Sequence, residues 1–342
     1  MFRRLMLLFL CGILCGSCSA LPAEERSFAV AVGITRGGEG WEASARIPDY
    51  QQEGGYVTLS ARGQSLTEAL SLLDSAAPMR MHYGQVRLLV FSRETAESAD
   101  FPAALAELAS MPDMRLQAQV CVTEADMAAF MDALSPLTGT RLSKSLDILL
   151  DTHQRLGVIP DASLSAIMRM GERQCPVLLS AALAGQEGAD DLPLQGTGEV
   201  LLSGCWLADA SGRVRGSLNA RETQLLMLMQ NRLRKATIPL EAGTVTLSDG
   251  SGRVRLDGNH VTCALTLRYT DASLAQEALR QAVKQEAEQV LGLLAAADCD
   301  ALGLGGQAIR HFPDMEAWHA LDWPGVYSSL TWEVRVTVLP PA

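Results

Sequence analysis

From residue 28 onward, hydrophobic and polar positions alternate in short runs that predict strands. FAVAVGIT at Phe28–Thr35 is the first, a glycine-rich turn follows at Gly37-Gly38-Glu39-Gly40, and WEASARI at Trp41–Ile47 alternates as a strand with one wet face does. The polar loop DYQQEGG leads to a third strand at Tyr56–Ser60, and three strands joined by turns indicate an antiparallel meander. The period lengthens at Ser65–Ser75. There Ser65 and Glu68 form a capping box, and Leu66, Ala69, Leu70 and Leu73 make one helical stripe. VRLLVF at Val86–Phe91 is apolar nearly throughout, which predicts a central strand buried on both faces. A helix at Phe101–Met111, a strand at Gln117–Val122 and a helix at Glu124–Leu134 complete an α/β unit ending near residue 137.

Helical spacing returns at Ser143–Leu156 and briefly at Asp161–Gly171. AGQEGADDLPLQGTG at Ala184–Gly198 is polar and glycine-rich, the strongest linker signal in the chain. A last part opens with a strand at Glu199–Leu207, a turn at Asp209–Gly212, and a helix from Ala220 to Lys235 capped by Asn219 and Glu222. Strands are predicted at Thr244–Leu247, Arg253–Asp257, His260–Tyr269 and Leu330–Leu339. Between the last two, a long helix runs from Asp271 or Ser273 to Ala297. Leu274, Ala278, Leu279, Ala282, Val283, Val290 and Leu294 form its buried stripe, and Arg280, Lys284, Glu286 and Glu288 point outward. The fold class expected is α+β or α/β, with mixed sheets packed by helices. Its parts would be a leader at 1–17, a sheet-plus-helix domain at 18–137, a small middle module and linker at 138–197, and a sheet-plus-long-helix domain at 198–342.

The first residues, MFRRLMLLFLCGILCGSC, obey a different logic. Arg3 and Arg4 form a positive start, and Leu5 to Leu14 form an apolar run of about ten residues, too short to span a bilayer and sized for an export signal. Gly16-Ser17-Cys18 places two small residues before a cysteine, as in a bacterial lipobox. The small side chains admit the backbone to the signal peptidase, and the thiol takes a diacylglycerol thioether, with acyl chains of the palmitate class. Cys15 stands where the usual Leu would precede Cys18 by three. The other reading is plain secretion with cleavage after Ala20.

Charge and composition narrow the function. Lys+Arg 28 against Asp+Glu 39 gives −11. Losing Arg3 and Arg4 with the leader makes this −13, so neither nucleic acid nor anionic headgroups should attract the domain. The five histidines, His82, His153, His260, His311 and His319, are too scattered for a helical two-histidine metal site. Beyond Cys18 lie Cys121, Cys175, Cys205, Cys263 and Cys299, without a CxxC; one disulfide is open, and the spacing does not choose the pair. No motif for nucleophilic, zinc or phosphate chemistry is present. Gly303-Leu304-Gly305-Gly306 follows a helix rather than a strand, so a C-cap and turn explain it better than a phosphate loop. Asp298, Asp300 and Asp314 read as helix-end and turn residues, and Phe312, Trp318 and Trp323 as a plug over the long helix. No catalytic, metal or cofactor-binding residue is assigned; His82, His311 and His319 read as surface or packing histidines.

Four stretches together carry a resemblance. Cys18 with Glu24-Glu25 and FAVAVGI, then GQSLTEAL with YGQVRLLVFS, resemble the lipid cysteine, acidic tether, first strand, capped helix and buried strand of the spore germinant-receptor C-subunit family, the Ger(x)C-type lipoproteins. Gln85 stands where many members have His. SGCWLADASGRVRGSLNARETQLLMLM resembles the stretch leading to an "ET" helix start, here Glu222-Thr223. DCDALGLGGQAIRHFPDMEAWHALDWPGVYSSLTWEVRVTVLPP resembles the C-terminal signature through Asp300, Gly303, Gly305 and Trp323. The family implies a germination-lipoprotein fold of three α/β-type domains and a non-enzymatic, lipid-anchored subunit of a nutrient-sensing complex in the spore's inner membrane. It would act as scaffold for two multi-span subunits, an A-type and a transporter-like B-type. The rival class is a lipid-anchored solute-binding protein of a transporter, which calls for two similar lobes and an aromatic-lined cleft.

Overall fold

The computed structural model describes residues 25–38, 40–49, 54–136, 139–183 and 199–339. The leader, Cys18 and the linker expected at 184–198 lie outside them. The chain opens with β1 (Arg26–Phe28) and the expected meander, β2 (Ala31–Gly37), β3 (Gly40–Pro48) and β4 (Tyr56–Gly63), antiparallel throughout. Helix α1 (Leu66–Ala76) starts where the Ser65 hydroxyl accepts the Glu68 N–H at 3.1 Å; Glu68 reaches back to the Gln64 N–H instead of completing the box on Ser65. Strand β5 (Arg80–His82) pairs in parallel with β1. Then come β6 (Leu88–Ser92), α2 (Arg93–Glu97), α3 (Phe101–Ser110), β7 (Gln119–Thr123) and α4 (Met127–Ala133). As the apolar run required, Leu88–Phe91 is buried on both faces.

The sheet does not stop at residue 137 or at 197. Helices α5 (Leu142–Leu156) and α6 (Leu164–Met170) pack on it, and β8 (Val177–Leu183), β9 (Val200–Ala208) and β10 (Val214–Leu218) extend it. The result is an eight-stranded mixed sheet in the order β10-β9-β8-β7-β6-β2-β3-β4, with β2, β6, β7 and β8 parallel. One face is covered by α1, α3 and α6, the other by α4 and α5. Helices on both faces are what a parallel core of strands needs, because neither face can meet water.

Helix α7 (Ala220–Met229) opens with the full capping box, Asn219 Oδ1 accepting the Glu222 N–H at 2.9 Å and Glu222 accepting the Asn219 N–H at 2.8 Å. It ends six residues before the expected Lys235. Asn231 turns left-handed at φ 58°, and β11 (Thr237–Leu240) begins instead. The strands expected at Thr244–Leu247 and Arg253–Asp257 are one strand, β12 (Gly243–Asp257), kinked between Leu247 and Asp249. Gly250 and Gly252 look like turn residues in sequence, but their role is closeness. A Cβ on Gly252 would sit 2.2 Å from the Leu228 carbonyl, so α7 can rest on this strand only at glycine. Strand β13 (His260–Ala272), helix α8 (Gln276–Ala296), the short α9 (Leu304–Ala308), α10 (Met315–His319), α11 (Trp323–Ser328) and β14 (Thr331–Leu339) complete the chain. The second sheet is β11-β12-β13-β14, with β13 and β14 parallel.

Helix α8 lays Leu279, Val283, Val290 and Leu294 on that sheet, within a core that also takes in α7 and Val177 and Leu207 of the larger sheet. Two expectations for α8 fail. Ala278 is exposed, and Glu286, expected outside, is 5% exposed. Its carboxylate accepts the Glu241 N–H at 2.7 Å and lies 3.5 Å from the Arg221 guanidinium, so it ties α8 to the β11–β12 turn and α7. Burial pushes its pKa up, and those partners pull it back.

His153 of α5 is 3% exposed, with Nδ1 2.8 Å from the Leu202 carbonyl, so Nδ1 carries the proton. Burial holds its pKa below 6.5. Unfolding exposes an imidazole that protonates below 6.5, whereas the folded one stays neutral to lower pH. Stability is therefore flat above about pH 6.5 and falls as pH drops toward the folded pKa, by up to about 1.4 kcal/mol per unit from this group. Denaturation at pH 5, 6 and 7.5 should show that slope in the wild type and a shallower one in His153→Gln. An identical slope would assign the acid sensitivity to another group.

Candidate functional site

The chain after α8 turns on a buried carboxylate. Asp300 is 3% exposed, and its oxygens accept the N–H groups of Leu304 at 2.9 Å and Gly305 at 2.6 Å, opening α9. Burial pushes its pKa up against these donors. The Trp323 indole N–H lies beside it without full hydrogen-bond geometry. Gly303, at φ 71°, thus precedes a helix rather than closing one, which corrects the C-cap expected for the glycine run. The C-cap of α8 is Ala297. Asp314 caps α10 by accepting the Ala317 N–H at 2.8 Å.

Beside Asp300 the aromatic residues form a chain. Phe312, Trp318, Trp323, Tyr327 and Trp332 follow one another with ring centroids 5.6–6.3 Å apart. They cover Val261 and Leu256, the end of the smaller sheet beyond α8, and the Tyr327 hydroxyl donates to the Cys299 carbonyl at 2.8 Å. The expected plug is present, but it closes the sheet beside the long helix rather than lying over it. Between this plug and helices α3 and α6 opens a cavity of about 500 Å³ walled by Ile167, Met168, Met170, Trp318 and Trp323. Such a lining suits an apolar side chain or a small apolar body, with methionine able to adapt to its shape.

A second concavity, a groove of about 720 Å³, lies beside β1 and β5 and contains Arg26, Arg80, His82 and Asp113. His82 Nδ1 is 3.0 Å from Asp113, which also accepts the Tyr83 N–H at 3.3 Å, and Phe28 meets the imidazole edge-on at 5.3 Å. Sequence reading missed this pair, because thirty-one positions separate its members and no motif links them. Of the hydroxyl residues in the same groove, Thr67 donates to Glu107. His311 and His319 are exposed and neither lines this groove, His319 lying at the 500 Å³ cavity instead, so the histidines are not gathered into one site. Among the described residues no three His, Cys, Asp or Glu side chains converge as metal ligands do, and no helix is long and apolar enough to cross a membrane. Cys18, the proposed lipid site, lies outside the described residues.

Comparison with known proteins agrees with this architecture. Residues 20–180 match the family model described as the spore germination protein N-terminal domain. No curated protein matches the chain by sequence. The crystal structure of the GerBC protein shares the fold, with a TM-score of 0.56 and 10% identity over 92% of this chain and 98% of that one. Residues 20–180 thus carry the spore germination protein N-terminal domain, and the chain shares the GerBC fold along nearly all its length.

Proposed function

We propose that this chain is a lipid-tethered, non-enzymatic subunit of a nutrient germinant receptor, holding two multi-span membrane subunits in register at the spore's inner membrane. The match of residues 20–180 to the germination-protein domain is the observation that carries the reading. The leader supports the tether: a charged start, a short apolar run and Gly16-Ser17-Cys18. Arg26 lies eight positions beyond Cys18, so a lipidated chain would keep β1 within about 28 Å of the bilayer surface. Two or three acyl chains suffice for stable attachment, and confinement to the membrane plane turns weak contacts with other subunits into occupied ones. The groove beside β1, which includes Arg26, would then lie within that reach of the membrane. A solute-binding protein would call for two similar lobes, whereas the two sheets here are unlike, with eight and four strands.

Metabolic labelling with a fatty-acid analogue should mark the wild type and leave Cys18→Ala unmarked. The same variant should germinate poorly while its folded domain keeps the wild-type melting curve. Label retained on Cys18→Ala would end the lipid assignment; normal germination of an unlabelled variant would end the tethering role.

A further inference from the structure

Five cysteines lie among the described residues, all buried and all free. Three come from distant stretches to one place, the join between the larger sheet and the end of α8. Cys175 precedes β8. Its N–H donates to the Asp300 carbonyl at 3.0 Å, and its thiol lies 3.9 Å from the Asp298 carbonyl. The residue between those two carbonyls is Cys299, so the two contacts of Cys175 bracket it, and both side chains belong to the same buried cluster. Cys205, on β9, is engaged elsewhere, its sulfur accepting the Thr223 hydroxyl at 3.4 Å. Access is unequal as well. Cys299 is 0% exposed, whereas Cys175 is 6% exposed and forms part of the wall of the 500 Å³ cavity.

We propose that Cys175 and Cys299 are a redox pair whose disulfide staples the eight-stranded sheet to the C-terminal end of α8 and sets the shape of the cavity between them. The oxidant is a disulfide, supplied by an exported thiol–disulfide oxidoreductase or by glutathione disulfide. The Cys175 thiol loses its proton and attacks one sulfur of that disulfide, forming a mixed disulfide and releasing one thiolate. The Cys299 thiol then loses its proton and attacks the Cys175 sulfur, forming the Cys175–Cys299 bond and releasing the second thiolate. The two protons lost are taken up by the two released thiolates, so the protein pair is oxidised by two electrons and the oxidant reduced by two. Burial pushes both Cys299 and Cys205 above the ordinary thiol range, which slows attack in the closed fold and makes opening of the cavity wall the gate to the exchange. The reduced form leaves the join free to move. The oxidised form closes a loop of about 125 residues, long enough for a large effect on the unfolded chain.

The physiological oxidant rests on the exported location proposed above, but the test supplies its own, so the two can fail separately. The full chain, purified in detergent, is equilibrated with glutathione buffers of graded potential, quenched with N-ethylmaleimide and digested without reduction. Mass spectrometry should find a peptide linking Cys175 to Cys299, present in Cys205→Ser and absent in Cys175→Ser. The oxidised wild type should melt about 5–10 °C above its reduced form, and Cys175→Ser should show no such difference. Should that variant fail to fold, differential alkylation of the wild type alone decides the matter. Both sulfurs carrying N-ethylmaleimide at the most oxidising potential, or a linkage that uses Cys205, would overturn the assignment.

Discussion

Val290→Asp should cost about 4 kcal/mol or more of folding stability, the largest effect expected from a single change in this chain. Val290 is fully buried on α8, in the core that unites both sheets with α7. A carboxylate there would sit in a cluster of apolar side chains, so it must stay ionised without water or take up a proton, and either course costs several kcal/mol. Glu288, two residues earlier, is exposed and holds only a half-exposed pair with Lys284 at 3.7 Å. Glu288→Lys should change stability by about 0.5 kcal/mol or less. Urea denaturation separates the two. Coincident midpoints would mean that the face of α8 is wrongly phased.

Asp300→Ala should cost about 3 kcal/mol and redden the tryptophan emission. Its carboxylate is the acceptor for two backbone N–H groups at the start of α9, and alanine would strand both in a buried turn at about 1–3 kcal/mol each. The loss is partly offset, because a buried charge disappears with it. Trp323 stands beside that carboxylate and Trp318 meets Trp323 at 5.6 Å between ring centroids, so loosening the turn should wet both indoles. Asp300→Asn keeps one acceptor oxygen and should lose less than Ala. If Ala matched the wild type in both midpoint and emission, the carboxylate would have no part in holding the plug.

Much of the fold was readable because helix and strand signals are local. The meander at 31–63, the apolar β6, the capping of α7 and most of the stripe of α8 were legible in the hydrophobic period and in single capping residues. What misled was chemistry with two uses. Gly250 and Gly252 signal a turn when read alone, yet they serve to let α7 approach. Glu286 falls on a charged face by periodicity, but Arg221 and the Glu241 N–H, from elsewhere in the chain, make its burial tolerable. The run VLLSAAL at 177–183 carried a strand signal that was passed over beside two helices, and β5 and α2 are too short to show a period.

The candidate site was less legible than the fold. Cys18 stands out in the sequence because the pattern from which lipidation is proposed is linear. The His82–Asp113 pair and the approach of Cys175 to Cys299 could not. Each joins residues that do not announce one another, through contacts that exist only once the sheets have closed.

By itself, then, the sequence determined the element types and which face of most elements turns inward, because these follow from side-chain period and local capping. Only the tertiary structure decided that β8, β9 and β10 extend the N-terminal sheet, that β14 pairs in parallel with β13, and that a glutamate and an aspartate are buried. Strand pairing runs through backbone N–H and C=O groups that are the same at nearly every residue, so the chain carries no local code for the partner. A buried polar side chain is tolerable only with acceptors or donors brought from elsewhere, and their arrival is a property of the closed fold.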